Sequence, residues 1–289
     1  MTQNKSFTIT NKSRIEIHLR DCMDGMAELP DGSVSVVVTS PPYNLGIKYS
    51  CYDDTIPRDE YLKWIHRWAG EITRILAGDG SLFINLGSSP RDPWIAIDVA
   101  CRIRDHLILQ NTFHWIKSIS IDAENIQRYI PGVATVSMGH YKPINSPRFV
   151  NDCHEYIFHF TKSGEVSLDR TAIGVPYQDK SNIRRWKHAG SDLRCRGNTW
   201  FIPYQTIMSR SKERPHPATF PEKLVENCLK VHGLANIQRV MDPFMGLGTT
   251  ARVCAEMQMD CIGFELDPEY FDESCRRLKS DTSNRIPGL

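Results

Sequence analysis

The order of the hydrophobic patterns constrains the fold of this chain more than any other feature of its sequence. Apolar runs typical of strands occur at 14–19 (RIEIHL), 34–38 (VSVVV) and 81–86 (SLFINL). From residue 58 to 76 the apolar residues recur at every third or fourth position, which is the period of an amphipathic helix. Strands that alternate with helices in this way favour a parallel sheet with helices on its faces.

The alternation stops between residues 118 and 214, where one strand pattern, EYIFHF at 155–160, stands among Pro, Gly, Asn and Arg residues. Patterns for helix and strand then return in turn, at 221–232, 238–242, 249–257, 260–265 and 267–279. We therefore predict an α/β fold, a doubly wound and mostly parallel Rossmann-like sheet, interrupted by one irregular insert. The predicted division is 1–117 for the first half, 118–214 for the insert and 215–289 for the second half.

The composition excludes several classes of protein. The 289 residues include 35 Lys and Arg against 34 Asp and Glu, so a uniformly basic surface is excluded, although a local one is not. No apolar run approaches the ~20 residues of a membrane span, and the first residues lack the apolar core of a signal peptide. The nine cysteines form no CxxC pair, so we interpret them as reduced core thiols and predict no metal site. We expect a cytoplasmic protein.

The first motif with chemical content is MDPFMGLGTT at 241–250, in which Asp242 ends a strand pattern and a helix begins near Thr249. Gly246 and Gly248 let the backbone approach a ligand closely, and the N–H groups that begin the helix can face a polar group. Glu265 lies 23 residues after Asp242, at the tip of the next strand, where it can accept hydrogen bonds from both ribose hydroxyls. This glycine loop (residues 242–248) predicts a nucleoside site; a plain strand-to-helix turn is the alternative.

The second motif is TSPPYN at 39–44, which directly follows the VSVVV strand and is called the diproline loop below. Two consecutive prolines make the loop stiff and leave carbonyl oxygens as acceptors that we expect to be unpaired and to point outward. Ser40 adds a hydroxyl group and Tyr43 an aromatic face. The loop is suited to stack a planar group and to accept hydrogen bonds from its exocyclic amine. The alternative is a rigid turn in which Tyr43 only packs.

The diproline loop, an HPATFP segment at 216–221 and the glycine loop follow one another in this order. In kind and order they resemble the β group of exocyclic-amino DNA methyltransferases, which use S-adenosylmethionine and methylate N4 of cytosine or N6 of adenine. The resemblance covers about residues 14–117 and 214–279. It implies that the first predicted half is the catalytic half of the methyltransferase domain, the insert the target-recognition module, and the second half the cofactor-binding half.

The resemblance also implies roles for individual residues. It makes Ser40, Pro41, Pro42 and Tyr43 the catalytic loop, places Glu265 on the cofactor ribose and aims Asp21 at the cofactor adenine. The residues it implies around the methionine part of the cofactor are Asp242, Phe244, Gly246, Gly248, Thr249, His216, Pro217, Phe220 and Pro221.

The chemistry implied is direct, in-line methyl transfer to the amine of a base that has left the DNA stack. Ser40 and the Pro41 carbonyl would accept hydrogen bonds from the amine, and Tyr43 would stack on the base. No Pro-Cys pair occurs, which excludes the cysteine chemistry of C5-cytosine methylation. Ser at the head of the loop favours N4 of cytosine within the family, whereas Asn44 also occurs in adenine enzymes, so N6-adenine methylation stays the alternative.

A basic stretch at 184–214 predicts contact with double-stranded DNA. It carries eight Lys and Arg residues against Asp192 and Glu213, a local charge of +6. Such side chains can neutralise phosphates or read guanine edges, and the interleaved aromatic residues Trp186, Trp200, Phe201 and Tyr204 can pack or touch bases. The alternative is a solvated basic face. The basic residues are Arg184, Arg185, Lys187, Arg194, Arg196, Arg210, Lys212 and Arg214.

Two functions of other classes remain alternatives: a DNA-bound regulator that has lost turnover, and a methyltransferase that acts on a protein amide or on RNA. The resemblance further implies a prokaryotic, nucleoid-associated enzyme, with a homodimer and a separately encoded restriction endonuclease as possible partners.

Overall fold

The structure is a computed structural model, and it describes residues 5–10, 12–47, 51–139, 146–185, 191–203 and 219–283. Its strands are β1 (Lys5–Thr10), β2 (Arg14–Leu19), β3 (Val34–Thr39), β4 (Leu76–Leu86), β5 (Ile108–Ile116), β6 (Ser118–Ile121), β7 (Val136–Gly139), β8 (His154–Thr161), β9 (Thr199–Phe201), β10 (Val240–Asp242) and β11 (Cys261–Glu265). Its α-helices are α1 (Cys22–Ala27), α2 (Arg58–Ile75), α3 (Ile95–Ile103), α4 (Ala123–Gln127), α5 (Glu222–His232), α6 (Thr249–Met257) and α7 (Pro268–Ser283).

Nine of these strands form one central sheet in the order β1-β2-β11-β10-β3-β4-β8-β5-β9. The five strands from β2 to β4 in this order are parallel, and β1 and β8 run against their neighbours. The predicted Rossmann-like, mostly parallel sheet is confirmed. The chain leaves β3 towards β4 on one side and β10 towards β11 on the other. The neighbouring pair β3 and β10 is therefore the switch point, where the carboxyl ends of the strands leave a crevice for ligands.

Helices cover both faces of the sheet. The side chains of α2 and α3 pack on one face with Val37, Leu82 and Phe158. Those of α5, α6 and α7 pack on the other face with Val36 and Val38. Successive residues of β3 point to opposite faces that are both buried, so valines occur on both faces: Val36 and Val38 on one and Val37 on the other.

Two strands from the predicted insert, residues 118–214, belong to the central sheet. Strand β8 lies between β4 and β5, and β9 forms the edge of the sheet beside β5, so residues of the predicted insert complete the central sheet. Ile157, Phe158 and Phe160 of β8 are all buried, as in a strand that is covered on both faces and paired on both sides. Separately, β6 and β7 pair with each other in a two-stranded sheet.

The expectation that the cysteines are core thiols holds for only part of the set. All nine are free, and Cys22, Cys228, Cys254, Cys261 and Cys275 are buried. Three others, Cys51, Cys101 and Cys195, are exposed, so the expectation is wrong for them. Among the described residues, no helix is both long and apolar enough to cross a membrane.

Candidate active site

One buried hydrogen bond joins the two motifs of the sequence at the switch point. Thr39 ends β3 and Asp242 ends β10, and the Thr39 hydroxyl donates to Asp242 Oδ1 at 2.7 Å across 203 positions of the chain. The diproline loop leaves β3 at Thr39, and the glycine loop leaves β10 at Asp242. The parallel pairing of these strands therefore places both loops at the same edge of the sheet.

Asp242 holds this arrangement together from inside the protein. Its side chain is 1% exposed, and besides Thr39 it accepts hydrogen bonds from the Thr250 hydroxyl at 2.7 Å and the Phe244 amide at 3.1 Å. Burial raises the pKa of this carboxyl group to about 6. Protein donors engage both of its oxygens, so Asp242 fixes the end of β3 and the start of the glycine loop relative to each other.

The glycine loop has a backbone that only glycine adopts easily. Gly246 has φ +53° and Gly248 has φ +81°, and a Cβ on Gly248 would lie 3.1 Å from Ser274 Cβ. Gly248 precedes α6, which begins at Thr249 as predicted. The partly buried ring of Phe244 packs on Trp68, with ring centroids 5.9 Å apart.

Glu265 stands at the end of β11 with its carboxylate turned to the glycine loop. It accepts from the Gly246 amide at 2.7 Å and from the Asp267 amide at 2.8 Å. Burial raises its pKa to about 7. A carboxylate has room for about four hydrogen bonds, and a desolvated one gains most from added donors. The two hydroxyls of a ribose would supply such donors, so the residues present fit a nucleoside cofactor.

The other residues implied around the cofactor have different surroundings. Asp21 follows β2 at the same edge of the sheet and caps α1 by accepting from the Met23 amide at 2.7 Å. Phe220 is buried in the core, and Pro221 precedes α5. His216 and Pro217 lie outside the described residues.

The diproline loop brings Ser40 and Tyr43 together. Their hydroxyl oxygens are 2.8 Å apart, and the Tyr43 hydroxyl also reaches the Asn85 carbonyl at 3.1 Å and Glu155 Oε2 at 3.3 Å. Asn85 and Glu155 lie on neighbouring strands of the central sheet, β4 and β8. Neither residue was indicated by any pattern in the sequence.

The carbonyl groups of the two prolines differ from each other. The Pro42 carbonyl accepts a hydrogen bond from the Tyr61 hydroxyl at 2.7 Å, so the expectation of an unpaired acceptor is wrong there. No group in the described part of the chain donates to the Pro41 carbonyl. Only one proline carbonyl is thus left for a ligand.

A buried aspartate that the sequence did not indicate fixes the end of the diproline loop. Asp54 accepts from the amides of Asn44 at 2.8 Å, Leu45 at 3.0 Å and Ile47 at 2.9 Å. Burial raises its pKa. Asn44 adopts φ +56° and donates its side-chain amide to the Ile56 carbonyl. The turn after Tyr43 is therefore held from several directions.

Only part of the predicted DNA-binding stretch lies within the described residues. Arg185, Arg194 and Arg196 are exposed, as phosphate contacts require. Trp200 is buried against Phe113 and acts as packing. Of Arg184 only the backbone is described. The residues outside the described ranges are Trp186, Lys187, Tyr204, Arg210, Lys212 and Arg214.

Arg196 also takes part in a basic cavity beside β9. The cavity has a volume of about 230 Å³, and Lys223, Lys230 and the buried Asn227 line it from α5. Both lysines donate to Glu226, which reduces their net positive charge.

The site can be compared with known proteins. A family model described as DNA methylase, covering N6 and N4 methyltransferases, matches residues 34–276. The type II methyltransferase M.BglII of Bacillus subtilis is 28% identical over 288 residues, which is 95% of this chain and 72% of that protein. This chain belongs to the DNA methylase family of exocyclic-amino methyltransferases, as its motifs indicated. Its methyl donor is S-adenosyl-L-methionine.

Solved structures agree with this fold. The PvuII DNA methyltransferase, described as cytosine-N4-specific, superposes with a TM-score of 0.62 at 20% identity and covers 94% of this chain and 92% of its own. TTHA0409 of Thermus thermophilus, described as a putative DNA modification methylase complexed with S-adenosyl-L-methionine, gives a TM-score of 0.57 at 23% identity and covers 94% and 95%. At these identities the likeness concerns the fold.

Proposed function

We propose that this protein methylates the exocyclic N4 of cytosine within a specific short sequence of double-stranded DNA. The observation that carries the proposal is the hydrogen bond between Thr39 and Asp242. It holds a loop headed by Ser40 and Tyr43, which fits a planar base with an amine, beside a loop that fits a nucleoside cofactor.

The diproline loop provides hydrogen-bond acceptors that would make such an amine more nucleophilic. The nitrogen is a weak nucleophile because its lone pair is delocalised into the ring. Hydrogen bonds from the amine to Ser40 Oγ and to the Pro41 carbonyl favour a pyramidal nitrogen with a localised lone pair. Both bonds strengthen as positive charge develops on nitrogen, so they stabilise the transition state more than the ground state.

The glycine loop provides the complementary half of the site. Glu265 would hold the cofactor ribose, and the backbone around Gly246 and Gly248 would border the methionine part. The cofactor supplies a methyl group that its sulfonium already activates, so that transfer is direct and in line. The protein chiefly orients the reactants, and good orientation can lower the activation barrier by about 7 to 11 kcal/mol.

The target base must leave the duplex to reach this site. Extrusion costs a few kcal/mol, and stacking on the Tyr43 ring would offset part of that cost. We assign target recognition to the segment 118–214, apart from its sheet strands, because its exposed Arg185, Arg194 and Arg196 can contact phosphates.

Adenine is the second candidate base. Asn44 follows Tyr43, and the matching family covers both N6 and N4 enzymes. The exocyclic amine of adenine presents the same two hydrogens to Ser40 and Pro41. Because M.BglII is named a type II methyltransferase, a separately encoded restriction endonuclease belongs to the proposal, as does a homodimer.

The test is to identify the methylated nucleoside. Plasmid DNA incubated with the purified protein and labelled S-adenosyl-L-methionine is digested and separated by mass spectrometry, with the Tyr43→Ala variant as the control. We expect N4-methylcytosine and no other product. N6-methyladenine alone would transfer the assignment to adenine, and label in protein or RNA with none in DNA would refute the proposal.

A further inference from the structure

A half-buried ion pair lies beside the diproline loop, outside the residues that the family motif contains. Lys117 follows β5, Glu155 is near the start of β8, and the Lys117 ammonium donates to Glu155 Oε1. Their side chains are only 16% and 14% exposed, and Lys117 also lies over the Trp115 ring at 5.0 Å. Most of the charge on this pair is therefore withdrawn from solvent.

The second carboxylate oxygen of Glu155 helps to determine where the Tyr43 proton points. Within the described part of the chain, acceptors near the Tyr43 hydroxyl include the Asn85 carbonyl at 3.1 Å, Glu155 Oε2 at 3.3 Å and Asn85 Oδ1 at 3.4 Å. Asn85 cannot present its amide nitrogen instead, because Nδ2 donates to the Tyr156 carbonyl at 3.1 Å. The Tyr43 hydroxyl carries one hydrogen, and when it donates that hydrogen to one of these acceptors, Ser40 is the donor in the 2.8 Å contact between the two hydroxyl groups.

In this arrangement the Ser40 hydroxyl hydrogen is directed to Tyr43, so the Ser40 oxygen can present its lone pairs to an amine. The Tyr43 ring and the Glu155 side chain are also closely packed around Gly87. A Cβ on Gly87 would lie 3.0 Å from Tyr43 Cε2 and 3.1 Å from Glu155 Cγ and Cδ, so a larger residue at position 87 would push the ring and the carboxylate apart.

We propose that Glu155 is a positioning residue that fixes Ser40 as an acceptor and receives, through Tyr43, the proton that methylation releases. The proposal rests on the proposed function for the identity of the amine. Methylation forms an N–C bond as the methyl–sulfur bond breaks with its electron pair on sulfur, and the amine then loses one proton.

The proton passes along three hydrogen bonds while the N–H electron pair stays on nitrogen. The amine gives its proton to Ser40 Oγ, Ser40 gives its own proton to the Tyr43 oxygen, and Tyr43 gives its proton to the Glu155 carboxylate. Lys117 balances the charge of Glu155 before the transfer. The 3.3 Å contact is long, but such bonds commonly tighten when the substrate is bound.

The first test is the Glu155→Gln variant in single-turnover methylation of DNA that the wild type methylates. Glutamine turns its oxygen to Lys117 and its amide to Tyr43, which reverses the donor direction. We expect the rate to fall about 100-fold, with cofactor affinity unchanged by calorimetry. Glu60→Gln, an exposed residue in the first turn of α2, is the matched control. An unchanged rate, or an equal loss of cofactor affinity, would overturn the proposal.

The second test is a double-mutant cycle with Tyr43→Phe, which keeps the ring and removes the hydroxyl. If both residues act in one relay, each single variant and the double variant lose about the same factor. Losses that multiply would overturn the relay. A wild type that methylates no DNA would instead refute the proposed function.

A third readout needs no turnover and also covers a Glu155→Gln protein that folds poorly. The ring-carbon NMR signal of labelled Tyr43, assigned with Tyr43→Phe, should differ between the cofactor-free wild type and the Lys117→Met variant, because loss of the Lys117 ammonium changes the carboxylate that Tyr43 contacts. A Tyr43 signal that is the same in both proteins would contradict the proposed hydrogen bond.

Discussion

The diproline loop and the glycine loop begin side by side, yet they are stabilised in different ways. Side chains from distant parts of the chain hold the diproline loop: Tyr61 on its backbone, Asp54 on its last turn and Asn85 on Tyr43. The glycine loop keeps its shape through its own positive φ angles and through Glu265 on a backbone amide. Single substitutions should therefore separate turnover, which depends on the first loop, from cofactor affinity, which depends on the second.

The Tyr43→Ala substitution should give the largest difference between the loss of turnover and the loss of cofactor affinity. Removing the ring abolishes stacking of the base and the partner of Ser40, so we expect methyl transfer at saturating substrates to fall about 1000-fold. Cofactor affinity, measured by calorimetry, should stay within about twofold. The control is Trp94→Ala, an aromatic residue that is 67% exposed. A comparable loss of cofactor affinity would show that the two loops are not separable.

The Asp242→Ala substitution should impair both loops together, because Asp242 accepts hydrogen bonds from Thr39 at the diproline loop and from Phe244 in the glycine loop. It would leave the Thr39 and Thr250 hydroxyls and the Phe244 amide without their acceptor in a buried site. We expect the free energy of unfolding in urea to fall by about 2 to 4 kcal/mol, with cofactor binding and turnover weakened together. Asp272→Ala, on the exposed side of α7, is the control. Unchanged stability would contradict the positioning role.

Glu265→Ala should affect the cofactor side alone. Losing hydrogen bonds from a ribose to a carboxylate should weaken S-adenosyl-L-methionine binding by about 10- to 100-fold. The rate at saturating cofactor should change by no more than about threefold. Glu269→Ala, exposed one turn further on, should bind normally. If turnover falls while affinity does not, the roles of the two loops are exchanged.

The pH dependence of cofactor affinity provides a more specific test of the role of Glu265. Burial raises its pKa to about 7 in the free protein, whereas ribose hydroxyls favour the ionised form. Cofactor binding should therefore release a proton, and affinity should rise from pH 6 towards pH 8, by at most about tenfold per unit, before levelling off. Calorimetry with Glu265→Gln should show a flatter profile. A wild-type affinity that falls over this range would contradict the assignment.

The smallest effect should come from the basic surface. Arg194→Ala and Arg196→Ala should each weaken DNA binding several-fold. Each should also lower the slope of log affinity against log salt by about 0.9 for every phosphate that the protein no longer neutralises. Arg104→Ala, an exposed residue after α3, should leave the slope unchanged. Equal salt slopes in all three variants would show that Arg194 and Arg196 do not contact DNA phosphates.

The sequence predicted the sheet and helices well, because burial leaves a periodic trace in each of them. Strand β3 has four valines among its six residues, and α2 has an apolar residue at every third or fourth position. The place of β8 was missed because strand order is decided by pairing across the sheet, which a local pattern does not encode. The same reason hid Glu155 and Asn85, each brought to Tyr43 by a strand that is distant in sequence.

Within the site, residues that belong to a motif could be predicted and those that support a motif could not. Ser40, Tyr43, Gly246 and Glu265 were singled out by residue type and spacing. Asp54 is one acidic residue in an ordinary turn, and only the folded loop shows that three amides converge on it.

The position of the extruded base in a complex with a duplex and the demethylated cofactor product would test the central claim most directly. We predict that its exocyclic nitrogen lies about 3 Å from Ser40 Oγ, with the ring against Tyr43 and the cofactor ribose on Glu265. A base bound beyond the reach of Ser40 and Tyr43, on a duplex that the same protein methylates when S-adenosyl-L-methionine is supplied, would contradict the account.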